Sequence, residues 1–155
     1  MLGSDMQVFE GIAEFAEAAG RDLGVTDWVV IDQERINAFA DATGDHQWIH
    51  VDERAAEAGP FGGTVAHGFL TLSLLPILLH ELYEVRGITM AVNYGLGRVR
   101  FVSPVPAGSR IRARSVVADV TSLDGAVQGV LATTIELEGA EKPAVVVESI
   151  VRYVA

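Results

Sequence analysis

The spacing of apolar residues predicts a helix over residues 5–19. Its apolar positions recur every three or four residues, which places them on one helical face. They are Phe9, Ile12, Ala13, Ala16 and Ala19. Gly20 can end this helix because glycine leaves the helical conformation at little cost. The short run from Trp28 to Ile31 is apolar and partly β-branched, and it predicts a strand.

A second amphipathic helix is predicted between Asp32 and Gly44. Asp is favoured at the start of a helix because its side chain accepts hydrogen bonds from free backbone amides, and Gly is favoured at the end. The apolar stripe between them consists of Ile36, Phe39 and Ala40. A loop over 45–51 follows, and Asp52 is expected to cap a short helix that ends near Ala58.

The longest apolar pattern predicts a helix from about Gly68 to Glu84. Its apolar residues point in nearly every direction around the axis, so we expect this helix to be buried almost all round. They are Phe69, Leu70, Leu72, Leu74, Leu75, Ile77, Leu78, Leu79, Leu82 and Tyr83. At ~1.5 Å per residue the helix would be about 25 Å long, and Pro76 is expected to kink it by removing one backbone hydrogen bond.

Alternating patterns after residue 86 predict strands. Between 88 and 101 the apolar positions change parity, so the register slips, and Gly95 and Gly97 indicate a β-bulge at the slip. The next strand alternates apolar residues with arginines, and two further strands are predicted over 126–138 and 144–154. Gly125 follows Asp124 and is typical of a hairpin turn.

One long buried helix and about five strands with short connections predict an α+β domain with a mostly antiparallel sheet. A curved sheet wrapped around the long helix is the economical arrangement, which is the hot-dog fold. We expect a single domain over residues 1–155, with residues 1–20 as an N-terminal helical extension. We also expect a homodimer, because one small subunit would leave sheet edges uncovered.

Composition narrows the function classes. The chain has 155 residues, a formal net charge of -10 and no cysteine. A strongly acidic protein repels phosphate backbones, so we expect no nucleic-acid partner. The absence of cysteine excludes disulfides and thiolate chemistry. The N-terminus lacks a basic-then-apolar export pattern and Phe69 to Leu79 is too short to cross a bilayer, so we expect a cytoplasmic protein without a membrane partner.

The basic residues are concentrated in one segment. Five of the eleven lie between positions 98 and 114, where no Asp or Glu occurs. They are Arg98, Arg100, Arg110, Arg112 and Arg114. They form either an ordinary solvated strand face or a cluster across paired strands that meets the phosphates of a coenzyme A group.

The first candidate for chemistry is the pair Asp45 and His50. A carboxylate can orient an imidazole, an imidazole exchanges protons near neutral pH, and together they can hold and activate a water. The spacing alone is more typical of a loop Asp bonded to backbone amides beside an exposed His. His46 and His80 are interpreted as surface or packing residues.

The second candidate is the start of the long helix at His67 and Gly68. A helix N-terminus offers unpaired amides to a thioester carbonyl that becomes an enolate, and Gly68 would let the substrate approach the backbone. The alternative is a glycine that only fits a tight entry. Ser73, on the same helix, is interpreted as bonding to its own turn. No group of residues has the spacing typical of a metal site, so we expect none.

Three ordered motifs resemble the MaoC-like, R-specific enoyl-CoA hydratase family. Its motif Gly-Asp-x-Asn-Pro-x-His reads here as Gly44-Asp45-His46-Gln47-Trp48-Ile49-His50. Its His-Gly at the start of the central helix matches His67-Gly68. Its strand with Arg and Phe, followed by Pro-Val and Gly, matches residues 98–108. The resemblance covers residues 25–154.

The resemblance implies the hot-dog fold, a dimer, no cofactor, and reversible hydration of trans-2-enoyl-CoA to (R)-3-hydroxyacyl-CoA. It implies that Asp45 and His50 bind and activate the water, and that the Gly68 amide polarises the thioester carbonyl. It also implies that Ser73 orients the pair. Gln47-Trp48 in place of Asn-Pro departs from the motif, which affects the loop shape and hence the acyl-chain preference.

Two other functions fit the same fold. An acyl-CoA thioesterase would release free thiol, and a non-catalytic acyl-CoA or acyl-carrier binding module would bind without turnover. A water-holding loop that carries Asp45 and His50 favours the hydratase.

Overall fold

A computed structural model of the chain describes residues 5–155. The helices are α1 Ile12–Phe15, α2 Gln33–Thr43, α3 Trp48–Val51, α4 Glu53–Glu57, α5 Gly68–Ser73 and α6 Leu75–Leu82. The strands are β1 Gln7–Glu10, β2 Asp22–Val25, β3 Val29–Ile31, β4 Tyr83–Arg86, β5 Met90–Phe101, β6 Ser109–Leu123, β7 Ala126–Leu137 and β8 Val145–Val154. In this part of the chain, no helix is long and apolar enough to span a membrane.

The main sheet has six strands, which is close to the predicted five. Its order is β2-β6-β7-β8-β5, with β3 also paired to β6, and all of these pairings are antiparallel. The hairpin between β6 and β7 turns at Gly125, whose φ of 69° is in the left-handed region that glycine adopts freely. The predicted register slip in β5 is confirmed, with irregularities between Asn93 and Gly95 and between Leu96 and Val99.

The predicted long helix is two helices that end in a strand. α5 ends at Ser73, α6 begins at Leu75 with Pro76 in its first turn, and β4 begins at Tyr83. Pro76 has no amide to donate to the carbonyl of Leu72, so the hydrogen-bond ladder breaks there. The break that the proline predicted is therefore confirmed, while the predicted continuation to Glu84 is wrong.

Burial of this helical pair is one-sided rather than complete. Its buried apolar residues join alternate residues of β6 and β7 in one core; those of the helices are Leu70, Leu75, Leu78, Leu79 and Leu82. Phe69 and Ile77 are 70% and 60% exposed. Residues that the pattern assigned to a fully buried helix therefore form an apolar surface in the single chain.

The predicted helix over 5–19 is wrong for most of its length. β1 pairs in parallel with β4, and only the four residues of α1 are helical. Gly11, with φ 90°, separates the two elements. Phe9 on β1 and Phe15 on α1 are both buried, and the pairing of β1 with β4 overrides the helical spacing. Residues 1–4 of the predicted extension lie outside the described residues.

Candidate active site

Two helix boundaries position Asp45. The Asp32 side chain accepts from the Arg35 amide and starts α2, and Gly44 ends it in the left-handed conformation with its amide bonded to Ala40. Both boundaries were predicted from residue type alone, and both are confirmed. Asp45 follows directly and is exposed, and among residues 5–155 its carboxylate accepts only a long hydrogen bond, from the Gln47 amide at 3.4 Å. Its carboxylate is therefore largely free for other partners.

His50 lies in a helical turn, α3, where a loop was predicted. It is 7% exposed, so the interpretation of an exposed loop histidine is wrong. Its Nδ1 lies 2.7 Å from the carbonyl oxygen of Val65. A carbonyl only accepts, so Nδ1 carries the hydrogen, and the neutral ring keeps its lone pair on Nε2. His50 is thereby held in the tautomer of a base.

A polar network holds the backbone of this turn. Gln33 on α2 donates from its side-chain amide to the carbonyl oxygen of His50, at 2.7 Å. The same amide group accepts from the hydroxyl of Thr64. Asp52 starts α4 by accepting from the Ala55 amide, as predicted. His50 is thus held at its backbone carbonyl by Gln33 and at its ring by the carbonyl of Val65.

The structure adds His67 to the predicted pair. His67 is 2% exposed and caps the start of α5, and its ring stacks on that of His50 with centroids 3.8 Å apart and an interplanar angle of 24°. One nitrogen of each ring and one carboxylate oxygen of Asp45 lie within 4.8 Å of one another. Sequence reasoning identified His67 only as part of the His-Gly motif and gave it no role.

His67 also anchors the loop that carries Asp45. Its Nε2 lies 2.9 Å from the carbonyl oxygen of Asp45, so Nε2 donates and the lone pair is on Nδ1. The ring of Phe39 packs against it at 4.8 Å between centroids. The two histidines are therefore held in opposite tautomers, each by one backbone carbonyl.

The three side chains form a set of the kind that binds metals, but the rings are poorly arranged for one. A metal must lie near the plane of each imidazole ligand, because the nitrogen lone pair lies in that plane. The rings of His50 and His67 are nearly parallel and 3.8 Å apart. A point midway between the rings, half of the 3.8 Å separation, lies about 1.9 Å from each ring plane; this is nearly the whole length of a zinc–nitrogen bond of about 2.1 Å but only part of a hydrogen bond of about 2.8 Å to a water. We assign no metal to these residues.

Gly68 is required by packing. A Cβ at this position would lie 2.9 Å from Cδ1 of Phe101, closer than side-chain carbons approach in proteins. This favours the alternative interpretation, in which glycine is needed because the start of α5 packs tightly against Phe101 of β5. Its amide lies in the first turn of α5, and Gly68 and Thr71 line a cavity of about 150 Å³ together with residues 101–105. The amide can serve a ligand without being the reason for the glycine.

Ser73 is occupied within its own helix. Its hydroxyl donates to the carbonyl oxygen of Leu70 at 2.7 Å, which matches the interpretation made from its helical position. No other hydrogen bond joins it to the residues at 5–155 that the structure describes. The orienting role implied by the resemblance has no contact to support it in this chain and stays a prediction.

The five arginines do not form one cluster within a chain. Arg98 and Arg100 lie on β5, whereas the other three lie on β6, three strand positions away, or about 14 Å at the usual strand spacing. Arg110 pairs with Glu138, and Arg112 and Arg114 pair with Glu136. The prediction of a shared cluster is wrong because β7 and β8 lie between the two strands.

His46 and His80 are exposed, as predicted. His46 pairs with Asp41 at 3.0 Å, and hydrogen bonding to this carboxylate raises the pKa of the imidazole. His46 lies next to Asp45 in sequence, but its side chain contacts Asp41 on the surface of α2. It is not part of the buried pair of histidines.

Comparison with known proteins gives the family. The model of the MaoC like domain matches residues 14–140. The 3-hydroxyacyl-thioester dehydratase Z of Mycobacterium tuberculosis (strain ATCC 25618 / H37Rv) is 60% identical over 151 residues, which cover 97% of this chain and 100% of that protein. Nodulation protein N of Rhizobium leguminosarum bv. viciae is 48% identical over 137 residues, covering 86% of this chain and 84% of that protein.

Solved structures agree on the fold. The (R)-hydratase from A. caviae involved in PHA biosynthesis superposes with a TM-score of 0.70 at 24% identity and covers 86% of this chain and 94% of that one. The unliganded R-hydratase from Pseudomonas aeruginosa superposes with a TM-score of 0.69 at 22% identity and covers 86% and 79%. The hot-dog fold predicted from the sequence is confirmed. With the family model matching residues 14–140, the chain belongs to the MaoC-like dehydratase domain family.

Proposed function

We propose that this protein is a 3-hydroxyacyl-thioester dehydratase, a hydro-lyase that reversibly adds water to a trans-2-enoyl-CoA and forms the (R)-3-hydroxyacyl-CoA. Family membership and 60% identity to a 3-hydroxyacyl-thioester dehydratase over nearly the whole chain support the reaction class. The observation that carries the residue-level proposal is the buried His50, held as a base beside the free carboxylate of Asp45. Water is the only co-reactant, so the reaction needs no cofactor.

In this mechanism Asp45 and His50 hold one water above the double bond. His50 Nε2 accepts a proton as the water oxygen bonds to the β-carbon, because its Nδ1 is already committed to the Val65 carbonyl. The electron pair of the double bond moves toward the thioester carbonyl, where the Gly68 amide stabilises the developing oxyanion. The α-carbon takes a proton from the Asp45–His50 pair, and the proton from water restores that pair.

The acyl chain is assigned to an apolar groove between the α5–α6 pair and the main sheet. The groove has a volume of about 460 Å³. Its lining includes Leu72, Leu75, Leu79, Leu131, Ile150 and Val151. A volume in this range is typical of sites for small organic ligands. Apolar lining on both sides favours a hydrocarbon chain over a polar acyl group.

Two arginines are left to meet the coenzyme A phosphates. Within the described residues, Arg98 and Arg100 form no ion pair, whereas Arg110, Arg112 and Arg114 are engaged with glutamates. Unpaired guanidinium groups on β5 are available to phosphate oxygens. We expect Arg100→Glu to raise KM for a CoA thioester more than Arg114→Glu does.

We also propose a homodimer through β5. This strand of twelve residues is at the edge of the sheet, and its other side is unpaired in the single chain. It exposes large apolar residues: Met90, Val92, Tyr94, Leu96 and Phe101. A long apolar edge is a site for pairing with another strand. Sedimentation should give the mass of a dimer for the wild type and of a monomer for Val92→Lys; a monomeric wild type would contradict the proposal.

The decisive experiment for the function uses crotonyl-CoA. Loss of the conjugated double bond and chiral analysis of the product should reveal (R)-3-hydroxybutyryl-CoA, and longer enoyl chains should be tested in parallel. Absence of hydration with every chain length would sink the proposal. Release of free thiol would indicate a thioesterase, and tight binding without turnover, unaffected by Asp45→Asn, would indicate a binding module.

A further inference from the structure

His67 carries a buried nitrogen without a partner. Among the described residues, three buried side-chain atoms that can hydrogen bond have none: Nδ1 of His67, Oγ1 of Thr71 and Oγ of Ser149. A buried polar atom left unpaired costs about 1–3 kcal/mol, and most such atoms in folded proteins are bonded. A group that stays open in this way needs an occupant from outside the chain.

The open atom is an acceptor. Nε2 of His67 donates to the carbonyl oxygen of Asp45, so the neutral ring has its lone pair on Nδ1. The ring is 2% exposed, so bulk solvent does not satisfy this lone pair. The occupant must therefore be a donor that enters the site, and water is the donor that the proposed reaction consumes.

The spacing of the three groups fits one water. One nitrogen of His50, one nitrogen of His67 and one carboxylate oxygen of Asp45 lie within 4.8 Å of one another. Two acceptors that hydrogen bond to the same water at about 2.8 Å lie about 4.6 Å apart when the angle is tetrahedral, which falls within this limit.

We propose that His67 is a third catalytic residue, whose Nδ1 accepts a hydrogen bond from the water that Asp45 and His50 activate. This inference rests on the proposed hydro-lyase function and deepens it. Hydration moves one proton from the water to the catalytic residues and one proton from these residues to the α-carbon. Nε2 of His50 is the base for the first hydrogen of the water. Nδ1 of His67 accepts a hydrogen bond from the second hydrogen and so holds the water in place while the first is transferred.

The proton balance closes with this set. The water O–H bond breaks and its proton moves to an acceptor nitrogen, while the oxygen bonds to the β-carbon. The α-carbon takes one proton from the Asp45–His50 pair, and the electron pair of the enolate forms the new C–H bond. The set ends with the number of protons with which it began. The stack keeps the rings of His50 and His67 in contact, with one nitrogen of each within 4.8 Å of a carboxylate oxygen of Asp45.

Two other roles of His67 would also be consistent with an Nδ1 that has no partner among the described residues. His67 could serve only to position Asp45 through the Nε2 hydrogen bond. Alternatively, a structural water could bridge Nδ1 of His67 to the unpartnered Oγ1 of Thr71, four residues further along α5. The first role depends on Nε2 and the second on Thr71, whereas the proposed role depends on Nδ1.

Matched substitutions separate these roles. His67→Gln keeps a donor near the position of Nε2 and removes the acceptor at Nδ1. His67→Asn keeps an acceptor near the position of Nδ1 and removes the donor. We expect His67→Gln to lower kcat on crotonyl-CoA about 10²-fold or more with little change in KM. We expect His67→Asn to keep at least about tenfold more activity than His67→Gln.

The controls define what overturns the inference. Near-wild-type kcat in His67→Gln, or more activity in Gln than in Asn, would show that only the anchor of Asp45 matters. Thr71→Val, which removes the second candidate partner at constant shape, should change kcat by less than about threefold. A loss in Thr71→Val as large as in His67→Gln would assign the atom to a structural water. Thermal unfolding checks that each variant is folded.

Histidine tautomers provide a readout that does not depend on activity. Long-range proton–nitrogen NMR spectra of the ¹⁵N-histidine-labelled protein should show Nδ1–H for His50 and Nε2–H for His67. Nδ1–H at His67 would overturn the inference even in an active hydratase. A wild type that hydrates no enoyl thioester would instead overturn the proposed function, and the inference with it.

Discussion

Two buried pairs of polar aromatic side chains differ in how much hydrogen-bonding capacity they leave open. The hydroxyls of Tyr83 and Tyr153 bond to each other. Edge-on and stacked contacts with Phe9 and Phe15 surround both rings. Each hydroxyl oxygen of the tyrosine pair therefore has a hydrogen-bond partner inside an aromatic cluster.

The histidine pair is different. His50 and His67 each use one nitrogen for a backbone carbonyl and leave the other without a bonded partner in the described chain. A carboxylate oxygen of Asp45 lies within 4.8 Å of one nitrogen of each ring. A buried pair whose side chains bond to each other stabilises the fold. A buried pair that keeps free lone pairs next to a carboxylate can bind and activate a reactant. Four predictions test this difference.

The largest effect is expected at Asp45 and His50. Asp45→Asn and His50→Gln should each lower kcat/KM on crotonyl-CoA about 10²–10⁴-fold, because each removes a group that exchanges a proton with the reacting water. The melting temperature should fall only slightly, since the interaction lost is with substrate and water. Full activity in either folded variant would contradict the assignment of the pair.

Substitutions in the tyrosine pair should lower the free energy of unfolding. Tyr83→Phe or Tyr153→Phe leaves the other hydroxyl buried without a partner, which costs about 1–3 kcal/mol. The double variant removes both hydroxyls and should be less destabilised than the sum of the singles. Urea unfolding of the four proteins measures this coupling. Strict additivity would show that the two hydroxyls do not depend on each other.

Alkaline pH should reduce the contribution of Tyr83 and Tyr153 to the free energy of unfolding. Burial raises the pKa of Tyr83 to about 12, and burial together with Tyr83 raises the pKa of Tyr153 as well. The folded state then retains protons that the unfolded state releases above its ordinary pKa of about 10. This stabilisation is complete below that pH and is lost as pH rises toward the folded pKa, at about 1.4 kcal/mol per pH unit for one proton.

Unfolding free energies measured from pH 9 to pH 12 test the sign. The double Phe variant is the control, because it lacks both titrating groups and should lose less stability over the same range. An equal slope in wild type and control would assign the alkaline loss to other residues.

The smallest effect is expected at Ser73, another hydroxyl that is already satisfied. Ser73→Ala removes one partly buried hydrogen bond to the carbonyl of Leu70, within the same helix, and should cost about 1 kcal/mol or less. The loss of kcat should be far smaller than in His50→Gln. A loss as large as in His50→Gln would establish the orienting role that the family resemblance implies.

Several local features follow from residue type alone. Asp32, Gly44 and Asp52 act at the helix boundaries where their side-chain chemistry predicts them. Pro76 breaks the helix, and β5 is irregular at its glycines. Each of these outcomes depends on backbone geometry within three or four residues, which the sequence encodes directly.

Two predictions failed because remote partners decided them. The helical spacing over 5–19 was overridden when β1 found β4, more than seventy residues away. The arginine cluster was predicted as if β5 and β6 were neighbours, but β7 and β8 lie between them. Periodicity reports which face of an element is apolar and does not report the order of strands.

The candidate site divides in the same way. The sequence by itself determined the motif with Asp45 and His50, the caps that position it and the glycine at the start of α5. Only the tertiary structure buried His50, stacked His67 on it and left Nδ1 of His67 open. Seventeen residues separate the two histidines along the chain. Tautomer and proximity are set by carbonyls and rings that meet only when α2, α3 and α5 pack together, so no local pattern encodes them.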